Sequence, residues 1–555
     1  MKRNFFAFLL TITLLLPSAA FGQAAVRISP AERAMAAGVT AEQIKQYLYF
    51  VASDAMGGRD TPSQGLDVTA EFIKMNLWKW GFKPAGDNGT FFQKMTLNRE
   101  AVDAATAFME VGGQRYAFGE EFFRMAGNTT GTLDKPLVFA GNGWLVKSKN
   151  IDAYAGLDVS GKIVVVQMQG APTNASLIIL PKGVTRADLK PEAKGTDWAD
   201  PVAYARQKGA AGVIYIASPE LQGFWGQVKQ FLGSGGAMKV KGLDDEPATG
   251  AVPALPVILA SQKVGEALFA GETGNSVKTP DTAPFALSPA KKVGISVSAK
   301  TESATTQNVV AIWEGSDPVL KNEMVAIGAH YDHVGINPNA SGPDKIWNGA
   351  DDDGSGTVAV LAIAEALAKA KTRPKRSILF VWHAGEEKGL WGSEYFNKFP
   401  TVDIKNVVAQ LNIDMIGRSR KADDLNPKNK NLSGENAIYV IGAEMMSSTL
   451  GTITKQTNDA YLKMTYDYRY DDPKDTNRFF FRSDHFNYAL NGIPIAFWFD
   501  GEHEDYHGPG DHADKIDYAK MEKVTRTIML TMLEISGLKE RPKVDKQLPP
   551  ELMQR

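Results

Sequence analysis

The spacing of apolar positions changes character twice along the chain. Ile44, Tyr47, Leu48 and Val51 recur at helical spacing. Residues 67–80 set Val68, Phe72, Met75 and Trp78 on successive turns before Gly81. This part predicts two helices followed by strand-like sequence to about residue 97. From about 100 to 300, short β-rich runs alternate with glycine and proline, at 135–140, 162–168, 212–216 and 256–259. One clear helix, near 201–208, interrupts them. From about 306 the runs become strongly apolar, at 308–313, 324–329, 376–382, 407–413, 438–441 and 493–499. Helical patterns fall at 357–370 and 518–536. Apolar strands alternating with helices predict an α/β domain, with a mostly parallel central sheet and helices on both faces.

Composition narrows the class. The 555 residues are 44% apolar and 22% charged, as in an ordinary globular protein. Sixty-one Lys and Arg oppose 63 Asp and Glu. A chain without a basic surplus is not built for nucleic acid. Cysteine is absent, which removes disulfides, thiolate zinc sites and cysteine nucleophiles. Lys2 and Arg3 precede an apolar run at 5–16, then Pro17 and the small-residue pattern Ala20-Phe21-Gly22. That order is a secretory signal peptide cleaved before Gln23. The run is shorter than the roughly 20 residues a membrane span needs. The expectation is export to the periplasm or medium, with no membrane association after cleavage. The expected organisation is a signal at 1–22, catalytic segments at 23–99 and 301–538 around an inserted β-rich domain at 100–300, and a loose tail at 539–555.

All seven histidines lie between His330 and His512. In an open α/β sheet, ligands bind beyond the carboxyl ends of the strands. His330-Tyr331-Asp332 follows one predicted strand, Ala384-Gly385-Glu386-Glu387 another, and Asp414 a third. Tyr506-His507 lies downstream of the last. The loop Asn348 to Gly356, with Asp351-Asp352-Asp353, leads into a helix. Imidazole and carboxylate without thiolate suit a hydrolytic zinc centre, with manganese or cobalt as substitutes. Two histidines and three carboxylates can hold two metals if one carboxylate bridges them. Glu386 and Glu387 suit a division into general base and ligand. A metal-bound imidazole also needs an acceptor for its other ring nitrogen, and Asp332 and Asp511 are candidates.

At these residues the chain resembles the di-zinc exopeptidase family of secreted leucyl-type aminopeptidases and glutamate carboxypeptidases. The matching stretches are GAHYDHVG (328–335), NGADDDGSG (348–356), HAGEEKGLWGS (383–393), LNIDMIG (411–417), SDHFNYALNGIP (483–494) and DYHGPGDHADKI (505–516). The segment 52–84 is similar to the family's opening helices. The resemblance implies two Zn2+ ions, one on His330 and Asp414, the other on Glu387 and His507, with Asp352 bridging. It implies a cis peptide from Asp352 to Asp353, Glu386 as general base and then acid, Asp332 orienting His330, and Tyr506 bonding the oxyanion. His333 departs from the pattern, since many members carry Ser there, and it is given no ligand role. His383, His485, His503 and His512 read as loop or packing histidines. The stretches 160–170, 204–216 and 254–261 resemble a protease-associated domain.

The function so implied is a zinc-dependent aminopeptidase acting on peptide substrates. A carboxypeptidase of the glutamate type is the alternative, since Arg418, Arg478 or Arg482 could hold a free carboxylate. Further alternatives are a glutaminyl-cyclase-like single-zinc catalyst and a receptor-like binding protein. The sequence leaves the oligomeric state open.

Overall fold

The computed structural model describes residues 25–126, 135–169, 180–185, 188–190, 193–232, 238–243, 255–279 and 281–548. The leader at 1–22 and the end of the tail, 549–555, lie outside these residues. No helix among the described residues is long and apolar enough to cross a membrane. The chain divides into two compact units, Met1–Lys94 with Thr306–Arg555, and Met95–Thr305.

The first unit is built on a mixed sheet. Its four central strands run Ser377–His383, Met324–His330, Val407–Ile413 and Ile495–Phe499, all parallel. Every residue of these strands is buried, as expected where helices cover both faces. The expectation of a mostly parallel sheet holds for this centre, but the flanks depart from it. Ala299–Trp313 pairs antiparallel with Ser377–His383, and Ala437–Ile441 pairs antiparallel with Ile495–Phe499. Only residues 314–323 separate Ala299–Trp313 from Met324–His330. A parallel return needs a crossover of a dozen or more residues, so the chain reverses direction there.

Register brings the strand ends level. His330 pairs with His383, Gly328 with Asn412, and Asn412 with Phe497. The loops that follow these strands therefore start from one edge. The helix Gly356–Lys369 is buried along nearly its whole length, and its first residue has no room for a side chain. A Cβ on Gly356 would stand 2.4 Å from both Asp353 Oδ1 and the Ile413 carbonyl. Two opening helices form as expected, Ala41–Val51 and Gln64–Lys79. The second turns a different face inward from the stripe that its periodicity suggests. Leu66, Ala70, Ile73 and Leu77 are buried, whereas Val68, Met75 and Trp78 are exposed.

The second unit holds a six-stranded sheet in the order Phe285–Ala286, Leu137–Phe139, Ile163–Gln167, Gly212–Ile216, Val257–Ala260 and Phe122–Ala126. Its middle four strands are parallel. Helices are more frequent here than the sequence suggests. Besides Pro201–Gln207 there are Pro219–Gly223, Trp225–Leu232 and Gln262–Phe269. These are short, and their apolar residues run on from strand-like sequence, so no helical repeat accumulates before each one ends. Ser218 and Ser261 mark two of the starts by accepting the amides of Leu221 and Val264.

In the first unit, Glu534 lies half-buried on the helix Tyr518–Gly537. Burial, with the charge of Glu32 nearby, pushes its carboxyl up to about 7. A carboxyl raised above its unfolded value of about 4.3 costs stability as pH rises between the two values. Glu534→Gln is expected to raise the urea midpoint at pH 8 and to leave it unchanged at pH 4. Equal shifts at both pH values would show that the effect does not come from ionisation of this carboxyl.

Candidate metal centre

His330 closes its strand with the side chain at the sheet edge. Its amide donates to Asp353 Oδ2 at 3.2 Å, and Thr357 Oγ1 donates to its carbonyl at 2.5 Å. On the far side of the ring, Nδ1 lies 3.2 Å from the Asp332 carbonyl and 3.6 Å from Asp332 Oδ1. The carboxylate of Asp332 also accepts from Thr61 Oγ1 and from the Glu386 amide, at 3.1 and 3.2 Å. Asp332 thus links the His330 loop to the Glu386 loop.

The three consecutive aspartates separate by hydrogen bonding. Asp351 Oδ1 accepts the Gly417 amide at 2.6 Å. Asp353 Oδ1 accepts the amides of Gly356 and Met415, at 2.8 and 3.2 Å. The flanking pair is thereby occupied by backbone, and Asp352 turns to the imidazoles. Its Oδ1 lies 3.3 Å from His330 Nε2, and its Oδ2 lies 3.0 Å from His507 Nε2 and 3.6 Å from His333 Nδ1. The peptide from Asp352 to Asp353 is cis. Asp511 does not reach His507 as the sequence suggests. Its carboxylate accepts the amides of Asp351 at 2.9 Å and of Asp352 at 3.1 Å, and so fixes the aspartate loop instead.

The remaining groups fall on either side of Asp352. Asp414 Oδ2 lies 3.7 Å from His330 Nε2, and Glu386 Oε2 lies 3.9 Å from it. Glu387 Oε2 lies 3.0 Å from His507 Nε2, and Glu387 Oε1 lies 2.9 Å from His333 Nδ1. The Tyr506 ring stacks on His507 with centroids 4.0 Å apart. Tyr506 faces a pocket shared with Glu386, Asp414, Phe479, Phe497 and Phe499. The five expected ligands and the three expected catalytic residues, Glu386, Tyr506 and Asp332, gather here. His333, which was given no ligand role, gathers with them.

Sequence reasoning also missed Arg59. Its buried guanidinium donates to the carbonyls of Tyr331, Asn348 and Gly349 at 2.7–2.9 Å, pinning the two loops together. A lone arginine in GGRD carries no motif that would reveal this. Of the other histidines, His383 approaches Asp484 at 3.4 Å and Tyr488 Oη at 3.1 Å. His503 lies 3.4 Å from Asp351, His512 lies 3.1 Å from Asp344, and His485 stacks on Phe497.

Electrostatics divides the two adjacent glutamates. Burial, with Glu387, Asp414 and Asp484 close by, pushes Glu386 well above the usual carboxylate range, and His330 only partly opposes it. Burial also acts on Glu387, but contact with His333 and His507 prevails and lowers it. Asp352 is held well below the usual range by His330 and His507 against its own burial. Burial would lower His507, but Asp352 and Glu387 raise it to about 10.

The residues fit divalent-cation binding. Among the described residues, the ion pairs of Asp352, Glu386, Glu387 and Asp414 are to imidazoles alone. His507 Nε2, Asp352 Oδ2, Glu387 Oε1 and both nitrogens of His333 are buried without a hydrogen-bond partner. Atoms 3.0 Å apart that do not align as donor and acceptor are arranged as donors around a common ion are. Nitrogen and oxygen donors without thiolate suit zinc.

The model for peptidase family M28 matches residues 308–532. This stretch is a peptidase M28 domain. A probable leucine aminopeptidase of Arthroderma otae is 32% identical over 214 residues, 37% of this chain and 52% of that protein. Leucine aminopeptidase 2 of the same organism is 26% identical over 283 residues, 46% of this chain and 50% of its own length. The chain spans about half the length of the curated relatives it matches. Among solved structures, an aminopeptidase from Aneurinibacillus sp. strain AM-1 aligns over 94% of this chain and 98% of its own, with TM-score 0.48 and 18% identity. BSAP, a zinc aminopeptidase from Bacillus subtilis, aligns over 92% of this chain and 98% of its own, with TM-score 0.46 and 17% identity. Every candidate ligand lies within the M28 domain.

Asp511 touches no candidate ion, yet it holds the loop that carries Asp352. Asp511→Ala is expected to weaken zinc binding about 10–100-fold, the usual cost of losing a group that orients a ligand. Competition with a chromophoric chelator measures this. An unchanged affinity would show that the loop keeps its shape without Asp511.

Proposed function

We propose that this protein is an exported di-zinc metallo-exopeptidase, an aminopeptidase that removes N-terminal residues from peptides. One observation carries the reading: Asp352 has an imidazole against each oxygen, with Asp414 on one side and Glu387 on the other. His330 and Asp414 would hold one ion, Glu387 and His507 the other, and Asp352 would bridge them. Manganese or cobalt could substitute. Export rests on the leader at 1–22, and the unit Met95–Thr305 is read as a protease-associated domain.

When bound, paired zinc ions supply Lewis acidity that activates water and polarises the peptide carbonyl. The chain's own residues do the rest. Glu386 lies beside His330 without the two close imidazole contacts that Glu387 has. It takes the proton of the attacking water and passes it to the leaving amine. Its raised affinity for a proton suits it to both steps. Burial keeps the Tyr506 phenol protonated, so it can donate to the developing oxyanion. Asp332 holds the ring of His330 and the amide of Glu386 in fixed relation.

The pocket beside these groups favours an amino terminus with an apolar side chain. Met415, Phe479, Phe497 and Phe499 supply apolar wall, and Glu502, which pairs with Arg482 in the same pocket, would hold a free amine by exchanging that partner. The arginines that could hold a free carboxylate are engaged. Arg482 Nη2 donates to Glu502 at 2.6 Å, Arg418 Nη2 donates to Asp505 at 2.9 Å, and Arg478 lies over the Phe481 ring.

Chromogenic aminoacyl and carboxyl-terminal substrates, assayed on zinc-loaded protein with a chelator control, test the reading. Cleavage of leucyl or phenylalanyl substrates is expected, and it should stop on chelation. Glu386→Gln is expected to retain two ions per chain and to lose about 10²–10⁴-fold in kcat. Near-normal turnover in that variant would remove Glu386 from its role, and cleavage of carboxyl-terminal substrates alone would reverse the direction.

A further inference from the structure

We propose that His333 is a third imidazole ligand of the metal pair, binding through Nδ1 to the ion held by Glu387 and His507. The inference rests on the two-metal reading above and adds a donor to it. His333 is completely buried. Its Nδ1 lies 2.9 Å from Glu387 Oε1 and 3.6 Å from Asp352 Oδ2, and its ring meets that of His507 edge-on at 5.7 Å. His333, Asp352 and Glu387 each offer a donor atom, and the three atoms lie within 4.8 Å of one another.

Packing alone does not account for this imidazole. Neither ring nitrogen has a hydrogen-bond partner, although a buried polar group ordinarily finds one. His485 is also short of partners, but it stacks on Phe497 at 4.5 Å in aromatic surroundings. His333 instead faces two carboxylates.

The fold also holds the ring there. The His333 amide donates to the Arg59 carbonyl at 3.1 Å, and the Arg59 guanidinium anchors the neighbouring loops at Tyr331 and Gly349. Gly349 makes the room. A Cβ at that position would stand 2.4 Å from His333 Cγ and 2.6 Å from Cδ2. Its φ of +57° is one that L side chains rarely adopt.

The consequence is an asymmetric pair. The ion beside His507 would have four protein donors, Asp352, Glu387, His507 and His333, a complement typical of closed zinc sites. The ion beside His330 would have three, Asp352, Asp414 and His330, which leaves a position open to substrate. The His507 ion would be the tightly held one, and the His330 ion the exchangeable one.

Metal-free protein titrated with Zn2+ by calorimetry, and zinc-loaded protein examined by X-ray absorption, test this. The wild type is expected to take up two ions in separated steps, with three imidazoles across the pair. His333→Ser is expected to lose one imidazole and to weaken the tighter step at least about tenfold, so that the two steps merge. An unchanged tight step and imidazole count in the variant would overturn the inference. So would two imidazoles across the pair in the wild type, a measurement that does not depend on how the variant folds. Wild-type protein that binds fewer than two ions would overturn the two-metal reading as well, which separates that failure from the failure of His333 alone.

Discussion

Asp352, Asp353 and Asp414 are buried carboxyl groups at one edge of a sheet, and the side chains of Glu386 and Glu387 beside them are largely withdrawn from water. Burying one ionised carboxylate costs several kcal/mol unless it is paired. Asp353 is compensated by the backbone amides it accepts, although burial and the charge of Asp414 raise it well above its ordinary range. The other four have three imidazoles as their ion-pair partners among the described residues, too few to balance them all. Two divalent cations would neutralise what the histidines cannot. The surrounding structure is arranged to keep the groups in place against their mutual repulsion.

That arrangement explains why adjacent glutamates differ so sharply. Glu386 and Glu387 share a loop, and both side chains are largely withdrawn from water. Glu387 meets two imidazoles at about 3 Å and is pulled toward the ionised form. Glu386 lies beyond their reach, among carboxylates, and is pushed toward the protonated form. Paired titratable groups driven apart by their environment are how one site obtains both a ligand and a proton carrier. Neighbours from three other loops, not the dipeptide itself, make this division.

The centre was legible in the sequence because its strands are buried on both faces and so read as unbroken apolar runs, with the chemistry just past their ends. The middle aspartate could be chosen only through resemblance, because Asp351, Asp352 and Asp353 are alike until the amides of Gly417, Gly356 and Met415 claim the outer two. The helix Gln64–Lys79 misled because its apolar residues are not confined to one stripe, and periodicity alone could not say that Ile73 and Leu77 face inward while Trp78 does not. The flanking antiparallel strands follow from connection length and neighbour choice, which composition does not reveal. His333 was passed over because its role depends on Glu387, more than fifty positions away.

The N-terminal segment carries a part of the site that no motif records. Arg59 bonds to carbonyls on both the Tyr331 and the Asn348–Gly349 loops, and its own carbonyl receives the His333 amide. Thr61, two residues on, donates to Asp332, which in turn holds the Glu386 amide. A short stretch after the first long helix therefore touches the supports of His330, His333 and Glu386 at once. Its bonds run to backbone atoms and to one carboxylate, so almost any side chain could occupy the contacted backbone positions without changing them. Gly349 is the exception, because the ring of His333 occupies the space its side chain would need. The guanidinium and the missing side chain act together. One draws the two loops close, and the other leaves the gap in which an imidazole can face Glu387 and Asp352.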